Sequence, residues 1–328
     1  MNQRDAATGI LSPVDARDLR RCGWQAADLH VHTLFSPDVI SVESLCPERL
    51  YQRSRAMGMD FVTFTDHDCM TAYRDLKPKN DLISGVEIKI KDMFCVGHTI
   101  HINVYDLDQC QFRNLENIAL AGDLHRFLDS LRDDDLPFVY NHPLWFEPGE
   151  RPNLAAIPEL IKLFPVIEYN MHRVQRKNEI IMELARRFEK GLVACTDTHS
   201  GMMGQAYTLS FGESFREFYK NIVRGRSFIV VRDLTKNDLS QEMTVWLDLL
   251  SSIDAIQKKK EVRTGMAHLD RLISVLSSKS FREFPRLYRA TLAAAYRIAS
   301  SGLPAALYIR SECSKICEIE QILGCRFQ

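Results

Sequence analysis

From Ala26 onward, short apolar runs of strand length alternate with longer stretches of helical periodicity. This alternation restricts the chain to repeated βα units around a parallel sheet, because each buried strand needs a following helix to cover its face. The strand candidates are 27–31, 61–65, 82–86, 99–105, 138–141, 166–170, 192–195 and 227–231. Helix candidates lie between them. One is 47–57, where Pro47 suits the first helical position and Gly58 follows the last turn; another is 179–189, closed by Gly191. Seven or eight such repeats predict an α/β fold closed into a TIM-like barrel. After Arg232 the strand signal stops, and 241–257, 266–276, 285–299 and 304–322 read as helices. The expected organisation is a flexible polar arm over 1–25, a barrel domain over 26–232 and a small all-helical C-terminal module over 233–328.

Composition narrows the partners. Forty-two Lys and Arg against 43 Asp and Glu leave a net charge of −1, so no global field draws the chain toward nucleic acid or an anionic membrane. From Asp233 on there are 14 basic and 11 acidic residues, a slight excess, and Lys258, Lys259 and Lys260 read as a solvated helix end. The C-terminal helices are expected to serve self-association or a protein contact. No apolar run approaches the roughly 18 residues of a membrane span. Nine cysteines, an odd number, follow an opening without the apolar core of a signal peptide. Free thiols in a reducing compartment, hence the cytoplasm, are therefore expected. Cys313 and Cys317, four apart on a helix, are expected to be packing residues.

What the chain does is written at the strand tips, the end of an α/β barrel where active sites are built. His30 and His32 flank Val31 at the end of the first strand, and a period of two sends both rings to one face, where they can chelate one ion. The second strand ends in Thr65-Asp66-His67-Asp68, the third in Gly85-Val86-Glu87, the fifth in Asn141-His142-Pro143 and the seventh in Thr196-Asp197-Thr198-His199. A lone H-x-H is commonly structural. Five tips carrying imidazole or carboxylate are not, since burying so many ionisable groups without a metal is costly. Imidazole with bridging carboxylate, and no thiolate except Cys195 beside the last tip, suits Zn, Mn or Fe in a hydrolytic multinuclear site. Asp28, Asp66, Asp68 and Asn141 adjoin these residues and are expected to hold imidazole tautomers. His125 and His268 sit in helical stretches as ordinary residues, and the loop at Met202 and Met203 is expected at the pocket mouth.

Taken in order, DLHVHTLFSPD from Asp28, FTDHD from Phe64, GVE from Gly85, IHINVY from Ile100, NHP from Asn141 and TDTHS from Thr196 resemble the motifs of the PHP (polymerase and histidinol phosphatase) superfamily across 26–232. The resemblance implies a distorted (β/α)7 barrel with two to three divalent ions, Mn, Fe or Zn, at its C-terminal face. Carried over by motif, one ion falls to His30, His32, Glu87 and Asp197. Glu87 bridges to a second ion completed by His101 and His142, and a third takes Asp38, His67 and His199. Asp38 is the acidic version of a position that some members fill with His. His98 competes with His101 for the second ion, and the place of His101 within an apolar strand favours it.

The implied activity is hydrolysis of phosphate esters, on a small phosphorylated metabolite or a nucleotide. Such ions neutralise phosphoryl oxygens and lower the pKa of a bound water toward about 7, giving a metal-bound hydroxide nucleophile. The leaving alkoxide takes a proton from His199, or from a metal-bound water oriented by Asp66. Arg173, just beyond the sixth strand, is the candidate clamp for substrate phosphate, with Arg151 and Lys89 as rivals. Two other readings stand beside this one. A nuclease or phosphodiesterase acting on nucleic-acid ends is disfavoured by the lack of a basic groove. The other is a non-catalytic, metal-stabilised binding or scaffold protein.

Overall fold

The computed structural model describes residues 9–93, 95–252 and 267–324, the side chains of 267–270 excepted. Lys258 to Lys260, Cys325, the His268 side chain and residues 1–8 of the expected arm lie outside the described residues. The strands are β1 (Gly9–Leu11), β2 (Gln25–Asp28), β3 (Phe61–Thr63), β4 (Leu82–Ile83), β5 (Gly85–Asp92), β6 (His98–Tyr105), β7 (Phe138–Tyr140), β8 (Val166–Asn170), β9 (Gly191–Cys195), β10 (Tyr207–Ser210) and β11 (Ser227–Val230). They form two sheets, ordered β1-β11-β10-β2-β3-β4 and β5-β6-β7-β8-β9.

The fold is mixed α/β, and its sheets are mixed rather than parallel throughout. Strands β6 and β10 each run antiparallel to both neighbours, while the other pairs are parallel. For β6 the cause is the short link from β5, which cannot hold the crossover helix that a parallel pair requires. The link closes as a turn in which the Gly97 N–H donates to the Asp92 carbonyl at 2.7 Å, with Gly97 at φ +83°. Beyond the strand ends, single bridges pair Val31 with Thr198 and His67 with Glu87, and these stitch the two sheets together.

Every residue of β8 and β9 is buried, as expected of strands covered on both faces. The helix Gln175–Arg187 packs on both strands, and the helix Phe215–Val223 packs on β9 and β10. Gly191 opens β9 where no side chain fits, since a Cβ there would stand 2.6 Å from the Ile222 carbonyl oxygen. Gly191→Ala is expected to cost about 2 kcal/mol or more, because backbone must move to admit it. A urea unfolding midpoint equal to that of the wild type would contradict this close approach.

Residues 9–25, expected as part of a flexible arm, are instead structured. Strand β1 pairs with β11, and the helix Pro13–Arg21 follows, capped by the Ser12 side chain, which accepts from the Asp15 N–H at 3.2 Å. Its Arg20 donates to Asp60 at 2.9 Å. A polar composition hid this helix because its buried residue is the small Ala16.

The C-terminal helices are Lys236–Ser251, Ala267–Ser277, Lys279–Arg282, Pro285–Ser300, Leu303–Ser314 and Ile316–Leu323. The expected single helix over 304–322 is thus two, parted at Lys315. Both lie against the helix Gln175–Arg187. Lys177 Nζ meets Glu312 Oε2 at 2.6 Å, Arg176 Nε donates to Glu320 Oε1 at 2.6 Å, and Ile316, Ile319 and Leu323 join the main core. Cys313 and Cys317, expected to pack, are exposed, and the described cysteines are free thiols. Among the described residues no helix is long and apolar enough to cross a membrane.

Candidate metal centre

The segments that leave the strand ends are hydrogen-bonded one to the next. His32 N–H donates to the Thr198 carbonyl at 3.1 Å, Thr65 N–H to Val31 at 2.9 Å, Glu87 N–H to Asp66 at 3.3 Å and Asn141 N–H to His101 at 3.0 Å. This backbone lacing brings residues far apart in sequence to one place. His142 (φ +29°) and Asp197 (φ +51°) adopt left-handed backbone there, a conformation that costs a non-glycine residue free energy and gathers at functional sites.

Four overlapping groups of side chains result, each with ligand atoms close enough to share an ion: His30, His32 and Asp197; His30, Glu87 and His142; His67, Glu87 and His101; and His32, Asp38, His67 and His199. Glu87 sits at the centre. Its Oε2 lies 3.1 Å from His30 Nε2, 3.4 Å from His32 Nε2 and 3.0 Å from His67 Nδ1. Its Oε1 lies 2.9 Å from His101 Nδ1 and 3.3 Å from His142 Nε2, and accepts from Asn141 Nδ2 at 2.9 Å.

Three imidazoles are held in one tautomer by what their outer nitrogens touch. His30 Nδ1 faces Glu168 Oε1 at 2.9 Å, and a carboxylate can only accept, so the proton sits on Nδ1. Ser36 Oγ donates its proton to Asp38 at 2.7 Å and therefore accepts from His32 Nδ1 at 3.2 Å. His199 Nδ1 donates to the Asp197 carbonyl at 2.9 Å. In each ring Nε2 is left for an ion. The Nε2 atoms of His30 and His32 face each other at 3.1 Å, and Asp197 Oδ1 lies 3.4 and 3.3 Å from them.

The electrostatics fit the same conclusion. Burial alone would lower the His67 pKa, but Asp38 and Glu87 override it and raise it to about 10. Burial likewise works against the charged form of His199, and Asp38 raises that ring to about 9. His30, buried beside Glu87, Asp197 and Glu168, is held well above its usual range. Burial would push Glu87, Asp38 and Asp197 up, yet the facing imidazoles hold all three carboxyls well below theirs. His142 is different: burial takes it down to about 4, so it stays neutral. Without metal, protons on His30, His67 and His199 thus do the work of cations against three buried carboxylates. His67 Nδ1, close to Glu87 but out of hydrogen-bond alignment, has no hydrogen-bond partner. A donor set of imidazole nitrogens and hard carboxylate oxygens, with cationic charge required at its centre, fits divalent Mn, Fe or Zn.

The structure brings together His30, His32, Asp38, His67, Glu87, His101, His142, Asp197 and His199. His98 stands apart, against Phe146 and accepting from the Asn153 N–H at 3.3 Å. Asp66 is in none of the four groups. Its two oxygens accept from the Thr33 N–H at 2.6 Å and the Thr33 hydroxyl at 2.7 Å, which ties the segment after β2 to that after β3. Asp28 anchors in the same way, accepting from Thr196 N–H and Oγ1 at 3.0 and 2.6 Å. Arg173 reaches the rim, its guanidinium 3.5 Å from Asp197 Oδ2 and 5.2 Å from the Trp145 ring. Its rival Lys89 is paired with Glu147 at 2.8 Å, and Arg151 is exposed. Met203 is buried under the helix Pro47–Ala56, where Ser54 Oγ donates to its sulfur, rather than lining a mouth.

Glu168, Glu147 and Trp145 also belong to the site, although no motif in the sequence marks them. Glu168 lies inside a fully buried strand, which was itself a signal, since a carboxylate there must have partners; it also accepts from the His142 N–H at 2.8 Å. Glu147 faces His101 Nε2 at 3.1 Å, and that hydrogen bond, with Lys89, lowers its pKa to about 2. Trp145 stands edge-on to His101 and His142, with ring centres 5.2 and 5.1 Å away. Glu168→Gln keeps an acceptor for one N–H but removes the charge behind His30, and is expected to weaken metal affinity about 10- to 100-fold. Competition with a metal-indicator dye measures this, and unchanged affinity would refute the role given to Glu168.

The sequence matches no known family profile and no curated protein. Comparison with solved structures finds PsfC from Pseudomonas syringae PB-5123, at 13% identity and a TM-score of 0.49, over 69% of this chain and 96% of that one. Another, from Bifidobacterium adolescentis, is described as a candidate metal-dependent phosphoesterase (16% identity, TM-score 0.37, 61% and 94% covered). A third is an amidohydrolase from Chromobacterium violaceum with bound sulfate and no metal (16% identity, TM-score 0.35, 52% and 87% covered).

Proposed function

We propose that this chain is a metal-dependent phosphoester hydrolase of the PHP type, a distorted (β/α)7 barrel acting on a small phosphorylated metabolite or nucleotide. The observation that carries the reading is the position of Glu87, a buried carboxylate whose two oxygens serve separate sets of imidazoles. His30, His32, Glu87 and Asp197 would hold one ion, Glu87 with His101 and His142 a second, and Asp38, His67 and His199 a third. Divalent ions in such a site neutralise phosphoryl oxygens and acidify water near neutral pH.

The protein's own part is to orient and to move a proton. With Nδ1–H fixed on the Asp197 carbonyl, His199 presents Nε2 inward, and that one atom can serve either as a ligand or, when protonated, as the acid for the leaving alkoxide. Arg173 offers a guanidinium at the rim to the substrate phosphate.

The test is elemental analysis for Mn, Fe and Zn on untagged protein purified without chelators, beside His32→Ala and His142→Ala, followed by phosphate release from monoesters and diesters. About two to three equivalents that fall in both variants, together with metal-dependent phosphate release, are expected. Less than about half an equivalent that does not rise on reconstitution would overturn the reading.

A further inference from the structure

We infer that the C-terminal helix Leu303–Ser314 completes the wall of the metal centre, and that Tyr308 on it is a positioning residue that holds the Arg173 guanidinium for a substrate's anionic oxygen. The inference rests on the hydrolase reading above and adds the origin of its anion recognition. Arg173 follows β8, and its guanidinium lies between Asp197 Oδ2 at 3.5 Å and the Trp145 ring at 5.2 Å, with the Tyr308 hydroxyl beside it. Tyr308 in turn points its O–H at the His172 carbonyl, 3.5 Å away. Trp145 also contacts His101 and His142, so the guanidinium and the candidate ligands share one aromatic wall.

The helix that brings Tyr308 is fixed in place. One turn further on, Glu312 meets Lys177 at 2.6 Å, with the two side chains 13% and 5% exposed, and Lys177 also donates to the Leu144 carbonyl at 3.1 Å. Breaking one half of a pair so buried leaves an uncompensated charge, which holds the helix at this site. Arg173 Nε is buried and has no hydrogen-bond partner. A guanidinium with a spare donor, held on two sides beside a metal ligand, lacks one acceptor, which a phosphoryl oxygen would supply. Tyr308 and Glu312 are 135 and more residues away from the groups they touch. The helical module would thus be part of the substrate site as well as a candidate surface for partners.

The experiment is calorimetric titration of the full-length, Mn-loaded protein with inorganic phosphate, for the wild type, Tyr308→Phe, Arg173→Ala and the double variant. Tyr308→Phe is expected to weaken phosphate about five- to tenfold with bound Mn unchanged, and to raise KM for a phosphate monoester more than it lowers kcat. On the Arg173→Ala background the same substitution should have no further effect, which a merely structural role would not produce. Tyr296→Phe, whose hydroxyl bonds Asp248 and not the Arg173 side chain, serves as a control and should bind phosphate as the wild type does. Phosphate affinity equal to the wild type in Tyr308→Phe, or an equal loss on both backgrounds, overturns the inference alone. If Tyr308→Phe does not fold, Glu312→Gln, which loosens the same helix, must weaken phosphate in its place, and no change there also overturns it. A wild type that holds neither Mn nor phosphate overturns the hydrolase reading and this inference with it.

Discussion

Glu87→Gln is expected to remove at least about one equivalent of bound metal and to lower phosphoester turnover about 10³-fold or more. The substitution keeps volume and shape, so the fold stays, but half of the carboxylate becomes an amide donor. If that donor takes the place of Oε1, it confronts the Asn141 amide, itself a donor 2.9 Å away. If it takes the place of Oε2, it faces His30, His32 and His67 and can no longer bridge cations. Either way two of the four side-chain groups lose a shared anion. Elemental analysis of the variant after dialysis decides it, and full metal content in Glu87→Gln would show that the bridging role is wrong. Glu87→Asp, which keeps charge but shortens reach, should fall between the two.

Removing the metal should change how the protein responds to pH. In the chelated state His67 has a pKa raised to about 10 and His199 one raised to about 9, both above the ordinary 6.5 of an unfolded chain, and His30 is raised as well. Chelation at pH 7.5 is therefore expected to draw about two to three protons from solution as imidazoles released by the ions become charged. Calorimetry in buffers of different ionisation enthalpy counts them. The same shifts set stability. A group with a raised folded pKa contributes fully below its unfolded value and has lost that contribution once pH passes the folded one, so chelated protein should weaken from about pH 6.5 up to about pH 10, by on the order of 3 kcal/mol or more. On the acid side the sign reverses. Glu87, Asp38 and Asp197, all depressed, contribute above their usual carboxylate range and lose that contribution as pH falls through their lowered values. The metal-loaded form should show no loss between pH 8 and 10. Urea unfolding at pH 7, 8.5 and 10 with and without chelator compares them, and parallel curves would mean that protons do not replace the ions.

The candidate ligands were legible because their signal is local. An i, i+2 pair of histidines at a strand end shares a face whatever the rest of the chain does, and the same holds for Asp197 and His199. Four such tips fall just beyond strand ends and leave few alternatives to a common centre, whereas Glu87, expected at the end of a strand over 82–86, stands third in β5. Strand direction was not legible from alternation, since a buried strand reads the same either way; only the brevity of the link between β5 and β6 marks the hairpin. The short strands β1 and β10 carry too few residues to show a pattern.

The roles of polar neighbours were less legible still. Asp66 and Asp197 stand in similar sequence settings, T-D-H and T-D-T-H, yet one anchors Thr33 and the other faces two imidazoles. Which way each carboxylate turns depends on the donors packed around it, and those come from other strands. The chain by itself therefore determined the mixed α/β class, the helical C-terminal stretch and the kinds of ligand brought to the strand tips, because these follow from periodicity and side-chain chemistry over a few residues. The tertiary structure alone decided the antiparallel strands, the meeting of four groups on Glu87, the pinning of His30 by Glu168 and the docking of Tyr308 and Glu312 beside Arg173 and Lys177. Those depend on contacts between residues dozens to more than a hundred positions apart, where hydrogen-bond geometry and burial, not local pattern, select the partner.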